Sequence, residues 1–188
     1  RGAQAQDVEQ TGVFVAGLGK QERILNALPD DINVISLRPT GFMENLFFQI
    51  DMIKNMNIMG SPVKADVKMG MVATEDVATV AAEKLTKLDF KGKTHLDLLG
   101  NKDYSQKEVA SIIGKAIGKP ELPYVEFSYE DTKKAMIQNG ISGSVADAFN
   151  GIYKGMNAGY YTGIKQTPET TPTTLEDFAK NVFKYAIQ

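Results

Sequence analysis

Cysteine is missing from all 188 residues, and so is tryptophan. Without thiols the chain has no disulfide, no thiol nucleophile and no thiolate metal site. A cytoplasmic setting is the natural expectation for such a chain. Histidine occurs once, at His95. Metal sites draw on several convergent ligands, so a lone histidine between Thr94 and Leu96 reads as a strand residue, and no metal is expected. Ser-His-Asp chemistry would have to pass through this residue, and no nucleophile elbow accompanies it.

An excess of charge of one sign is also lacking. With 21 basic and 23 acidic residues, the formal net charge is −2. That balance excludes the basic footprint of a nucleic-acid binder and a polybasic membrane patch. No apolar run approaches the ~20 residues that cross a bilayer. The opening RGAQAQDVEQTG has no apolar core of a secretory signal, and it begins without methionine, which suggests a processed or truncated chain.

What is present is an alternation of helix and strand. Gln21–Leu28 reads as a helix, with Ile24, Leu25 and Leu28 on one face, and Pro29-Asp30-Asp31 stops it. Ile32–Leu37 reads as a buried strand, and Phe42–Met56 as a helix with apolar residues every three or four positions. Gly60-Ser61-Pro62 reads as a loop and Val67–Val72 as an extended segment. Asp76 is placed to cap the helix that follows it. Thr94–Leu99 reads as a second strand. Ser105 and Glu108 have the spacing of a capping box, and a short strand in PYVEFS precedes a helix stopped by Gly140. The segment SVADAFNGIYKGMNAGYY is helical but weakened by Gly151, Gly155 and Gly159. A proline-bearing polar loop leads to a terminal amphipathic helix, capped by Thr173 or Thr174, that buries Leu175, Phe178, Val182, Phe183 and Ile187. The glycines of Gly12–Gly19 follow no strand and read as a loop.

This order predicts an α/β chain with a mainly parallel sheet. Two long strands against some six helices are too few, because a parallel sheet needs more strands to bury both faces. Either strands lie upstream, or an open sheet edge pairs with a second copy, a homo-oligomer.

The stretch from Leu37 to Asn45, Leu-Arg-Pro-x-x-Phe-Met-Glu-Asn, together with Asp76–Ala78 and the terminal Thr174–Ala179, resembles the NmrA-like branch of the atypical short-chain dehydrogenase/reductases. These are NAD(P)-binding Rossmann proteins, reductases in some cases and redox-sensing regulators in others. The resemblance runs from Gly2 to Ala186. It implies the C-terminal part of a doubly wound Rossmann-like parallel sheet plus a mostly helical substrate-binding region. Residues 1–41 would end the dinucleotide-binding domain, and 42–188 would form a mixed substrate-binding and C-terminal region. The family's glycine-rich phosphate loop has no counterpart here, so on the order of a hundred residues would lie upstream, as four strand–helix units of that kind require. NAD(P)H is therefore expected in a full-length protein and not on this chain alone, which is expected to be inactive.

The resemblance also assigns a site. In an open α/β sheet, ligands bind outside the carboxyl ends of the strands. Pro39, Thr40, Gly41 and Phe42 would lie against the cofactor. Asn45, Phe47 and Phe48, with Tyr160 and Tyr161 farther out, would wall a pocket for a small molecule. Core filling is an equally good reading of Phe47 and Phe48, and Arg38 reads more readily as an ion-pair anchor than as a reacting group. The family's Tyr-x-x-x-Lys pair, in which tyrosine protonates the carbonyl, should precede Ile32. No tyrosine stands there, and the lysine position falls on Leu18. Lys20 is the candidate substitute if the chain shifts by two residues. A literal Tyr161-to-Lys165 match sits in the glycine-rich exit of a helix and reads as chance. The implied function is an NAD(P)H-dependent reductase passing hydride to a quinone-like or aromatic acceptor. The alternative is a non-catalytic NAD(P)-sensing regulatory protein.

Overall fold

A computed structural model describes residues 8–160 and 171–188. Along the chain, α1 (Val8–Asn26) leads to β1 (Val34–Pro39), β2 (Gly41–Phe42), a 3-10 segment (Met43–Gln49) and α2 (Ile50–Met56). β3 (Met59–Ser61), β4 (Lys68–Val72) and α3 (Thr74–Lys87) follow, then β5 (Lys93–Leu98), β6 (Asp103–Ser105) and α4 (Gln106–Ala116). β7 (Tyr124–Glu126) precedes α5 (Tyr129–Gln138) and α6 (Gly143–Asn157). The terminal helix starts as α7 (Leu175–Phe178), widens into a π turn (Ala179–Phe183) and closes as α8 (Lys184–Ala186).

The two long strands read from the sequence pair with each other. β1 and β5 run parallel, from Val34 opposite Lys93 to Pro39 opposite Leu98. Parallel neighbours need a crossover, and the segment from β2 to α3 provides it. Among the described residues β1 has no other partner. The fold class is the expected α/β one with parallel pairing. β2 pairs parallel with β4, β4 antiparallel with β6, and β3 parallel with β7. α1 and α3 both pack on β1, and α1 also packs along α6.

The core lies beyond the carboxyl end of the β1–β5 pair. Met43, Leu46 and Ile53 meet Tyr104, Val109 and Ile113 of β6 and α4, and Leu175, Phe178 and Phe183 of the terminal helix. Gly100, leaving β5, is forced: a Cβ there would stand 1.9 Å from the Met71 carbonyl oxygen.

Local signals hold where their partners are close in sequence. The Ser105 hydroxyl accepts from the Glu108 amide at 3.2 Å and the Glu108 carboxylate from the Ser105 amide at 2.7 Å, a complete capping box. Thr174 caps the terminal helix, and Gly140 ends α5 with φ 83°. Four expectations are corrected. Gly12–Gly19 is helix, within α1; each glycine costs a helix about 1 kcal/mol, and packing against α6 and β1 outweighs it. The strand expected over Ile32–Leu37 runs from Val34 through Arg38 and Pro39, with Arg38 opposite Asp97, and is half-buried rather than buried. Gly60 and Ser61 are strand, because β7 lies alongside to pair with them. Asp76 caps nothing: α3 starts at Thr74, and the carboxylate of Asp76 is bonded elsewhere.

Candidate functional site

The chain changes neighbours where β1 ends. Pro39 has no amide to donate; the Thr40 amide makes one more bond to the Leu98 carbonyl, at 3.1 Å. Gly41 and Phe42 then leave β5 and pair with Met71 and Val72. A strand that switches partner in this way opens the carboxyl end of its first pairing, where open α/β sheets place their ligands. Pro39, Thr40, Gly41 and Phe42 all lie at that switch.

The 3-10 segment sorts the residues that follow. With three residues per turn, positions i and i+3 stack on one face. Met43 and Leu46 go into the core together. Glu44 and Phe47 take the next face, and Asn45 and Phe48 the third. The Glu44 carboxylate accepts from the Thr74 amide at 3.0 Å and the Thr74 hydroxyl at 2.7 Å, satisfying a first-turn amide of α3. The Phe47 ring meets Phe178 at 5.9 Å and Phe183 at 6.0 Å between centroids. Asn45 is exposed, and Phe48 is 83% exposed, a large apolar ring left in water beside the switch.

Arg38 is engaged on the α1 side. Its Nε donates to Glu22 Oε1 at 3.0 Å and its Nη2 to Oε2 at 2.6 Å, with both side chains more than four-fifths buried. The guanidinium bonds hold the Glu22 carboxyl below its ordinary range, against the opposing pull of burial. Glu22 in turn raises Arg38. The two form one wall of a cavity of about 210 Å³ with Leu18, Gln21, Leu25 and Ile35–Arg38. The anchoring role read for Arg38 is the one it occupies. Thr40 Oγ1, Glu44 Oε2 and Asp97 Oδ1 are buried without a hydrogen-bond partner.

Lys20 is exposed, and it is absent from the helix face of Leu18, Gln21, Glu22 and Leu25 that turns to β1. Tyr160 ends the α6 region, its amide bonded to Gly155 O at 3.1 Å. Tyr161 and the Tyr161–Lys165 match lie outside the described residues. Sequence reasoning missed the Glu44–Thr74 and Asp76–Thr173 links. Their partners are 30 and 97 positions apart, and nothing local marks them. Among the described residues no cluster of acidic or histidine side chains could hold a metal ion, and no helix is long and apolar enough to cross a membrane.

No family model matches the chain. An NAD(P)H azoreductase of Xenophilus azovorans is 30% identical over 145 residues, which cover 77% of this chain and 50% of that protein. The chain thus spans about half the length of the curated relative it matches. A nucleoside-diphosphate-sugar epimerase from Staphylococcus aureus superposes with a TM-score of 0.77 at 18% identity, covering 94% of this chain and 62% of that one. An NADPH-dependent quinone oxidoreductase from Escherichia coli does so with 0.74 at 18%, covering 94% and 64%. Its fold is the Rossmann-type α/β fold of these structures, and its sequence resembles NAD(P)H-dependent reductases. The resemblance carried by the Leu37–Asn45 element is borne out, and that element is the strand end, partner switch and 3-10 segment just described.

Proposed function

We propose that this chain is the substrate-side, C-terminal portion of an NAD(P)H-dependent reductase that passes hydride to a small quinone-like or azo-aromatic acceptor. The observation that carries the reading is the partner switch at Thr40–Phe42, with the bare ring of Phe48 and the amide of Asn45 on one exposed face beside it. The names of the relatives agree with it: one is an azoreductase and another a quinone oxidoreductase.

The residues present fit one end of the cofactor. The unpartnered hydroxyl of Thr40 and the amide-free Pro39 would border the nicotinamide end, while no glycine-rich loop lies among the described residues to hold a pyrophosphate. When bound, NAD(P)H supplies the hydride. Pro39 and Thr40 fix the edge it rests on, Gly41 keeps that edge low, and Phe42 closes it. Phe48 offers a flat face for an aromatic acceptor to stack on, and Asn45 donates to an acceptor oxygen or nitrogen. Phe47 holds this wall against the core, and Tyr160 would border its outer side. Residues 1–41 complete the cofactor domain and 42–188 the acceptor side. The 188 residues alone are inactive, because phosphate binding belongs to a segment outside them. The free edge of β1 pairs with that segment, or with a second copy when it is missing.

The test is NADPH oxidation by the full-length protein with a panel of quinones and azo dyes. Turnover that falls at least 10-fold in Phe48→Ala supports the reading; cofactor binding without turnover on any acceptor overturns it. That second result belongs to the other reading, an NAD(P)-sensing regulator. It is favoured by one observation: no tyrosine precedes Ile32 to act as the family's proton donor, and the lysine position implied by the resemblance falls on Leu18.

A further inference from the structure

Asp76 is a buried carboxylate, 7% exposed, in the first turn of α3. A charge in that position costs free energy unless it is bonded, and both of its oxygens are used. Oδ2 accepts from the Thr173 amide at 3.0 Å and Oδ1 from the Thr173 hydroxyl at 2.8 Å. Two residues earlier Thr171, itself buried, gives its amide and its hydroxyl to the Leu99 carbonyl, at 2.8 and 3.0 Å. Two residues later the Leu175 amide donates to the Tyr104 hydroxyl at 3.2 Å. Residues 171–175 are thus a strap stitched to α3, to the exit of β5 and to β6 before the terminal helix begins.

The helix so positioned carries Phe178 and Phe183, the two rings that seat Phe47. Phe47 stands on the half-buried face of the 3-10 segment, packed on those rings, next to the exposed face of Asn45 and Phe48. We infer that Asp76 is a positioning residue for the acceptor wall, acting through Thr173, the terminal helix and Phe47. The inference rests on the reading of Asn45 and Phe48 as that wall. It gives Asp76 a task that a helix cap would not have: it sets where an acceptor stacks, not whether α3 forms.

The test uses the full-length protein with Asp76→Asn, Thr173→Val and Thr173→Ser. Asparagine sets an amide donor against a donor of Thr173. Valine keeps the amide bond and loses the hydroxyl bond, and serine keeps both. The expected result is a KM for a quinone acceptor raised about 10-fold in Asp76→Asn, the worth of one hydrogen bond to a charged group. The NADPH KM should stay within about 2-fold, Thr173→Val should be intermediate, and Thr173→Ser should restore the wild-type value. Equal rises in both KM values, or none, overturn the inference. Amide exchange supplies an arm independent of turnover. Asp76→Asn should speed exchange at Thr173 and also across Met43–Gln49; faster exchange confined to Thr173 overturns the inference. An inert wild-type enzyme would sink the reductase reading, and the exchange arm would still decide the role of Asp76.

Discussion

Glu22 and Arg38 face each other across 16 positions of sequence with two short bonds and little water. Removing one partner of such a pair leaves the other charge buried and unmatched. Glu22→Gln is expected to cost about 1.5–3 kcal/mol, the range for hydrogen bonds to charged groups, read by urea unfolding. The pH dependence follows from the lowered pKa of Glu22. Its contribution is present above the ordinary carboxylate value and is lost as pH falls through the lowered one. The variant should therefore show a flatter acid limb. Tyr124 works at the other end of the scale. Burial pushes its hydroxyl up to about 12, against the Ser61 bond that lowers it. Its stabilising share is complete below the unfolded value and is lost as pH rises through the folded one. Ultraviolet titration should show this tyrosine ionising near 12, and Tyr124→Phe should remove that step. The phenylalanine also forfeits the bonds to Ser61 and Val63 O, at 2.7 and 2.8 Å. A single neutral bond is worth about 1 kcal/mol.

At the level of elements, what could be read in advance was what is local. The capping box needs Ser105 and Glu108 three positions apart, so it is visible in the chain; Ser105→Ala should cost about 1 kcal/mol and lower Tm. Asp76 shows the limit of that logic. A carboxylate in a first turn resembles a cap, yet its partner stands 97 positions away. The helix over Gly12–Gly19 shows the same limit from the other side. Glycine raises the cost of a helix, and only the neighbouring α6 and β1 repay it. β3 and β6 are equally illegible, being three residues each and defined by partners. Gly100 gives the sharpest element-level prediction. With 1.9 Å between an added Cβ and the Met71 oxygen, Gly100→Ala must push β4 off the exit of β5. Unfolding should show a loss of about 1–3 kcal/mol or more, the range for overpacking.

For the whole molecule, the decisive feature is the β1–β5 pair. Burying two such strands alone is marginal, and apolar side chains remain exposed on α1 and just ahead of β1: Leu18 at 57%, Ile24 at 60% and Ile32 at 44%. If the proposed reading holds, calorimetry of the 188-residue chain with NADPH shows no heat of binding; a binding isotherm would overturn the assignment of phosphate binding to a segment outside these residues. Sedimentation of this chain should show a weight that rises with concentration, as an open strand edge would cause. A monomer at every concentration would mean that the edge is protected.

The sequence by itself determined the class and most of the helices, because hydrophobic period, caps and turn residues act between neighbours. It also marked Leu37–Asn45 as the stretch to watch, since an apolar strand that ends in Arg-Pro and enters an aromatic run carries the family resemblance. Only the tertiary structure decided which of those aromatics face inward. Phe47 and Phe48 are adjacent and chemically identical; the 3-10 turn and the rings of Phe178 and Phe183 bury one and leave the other in water. It likewise decided that Arg38 is held by Glu22 and that Asp76 anchors a distant strap. Ion pairs and hydrogen bonds are formed by proximity in space, and the chain order alone does not contain that distance.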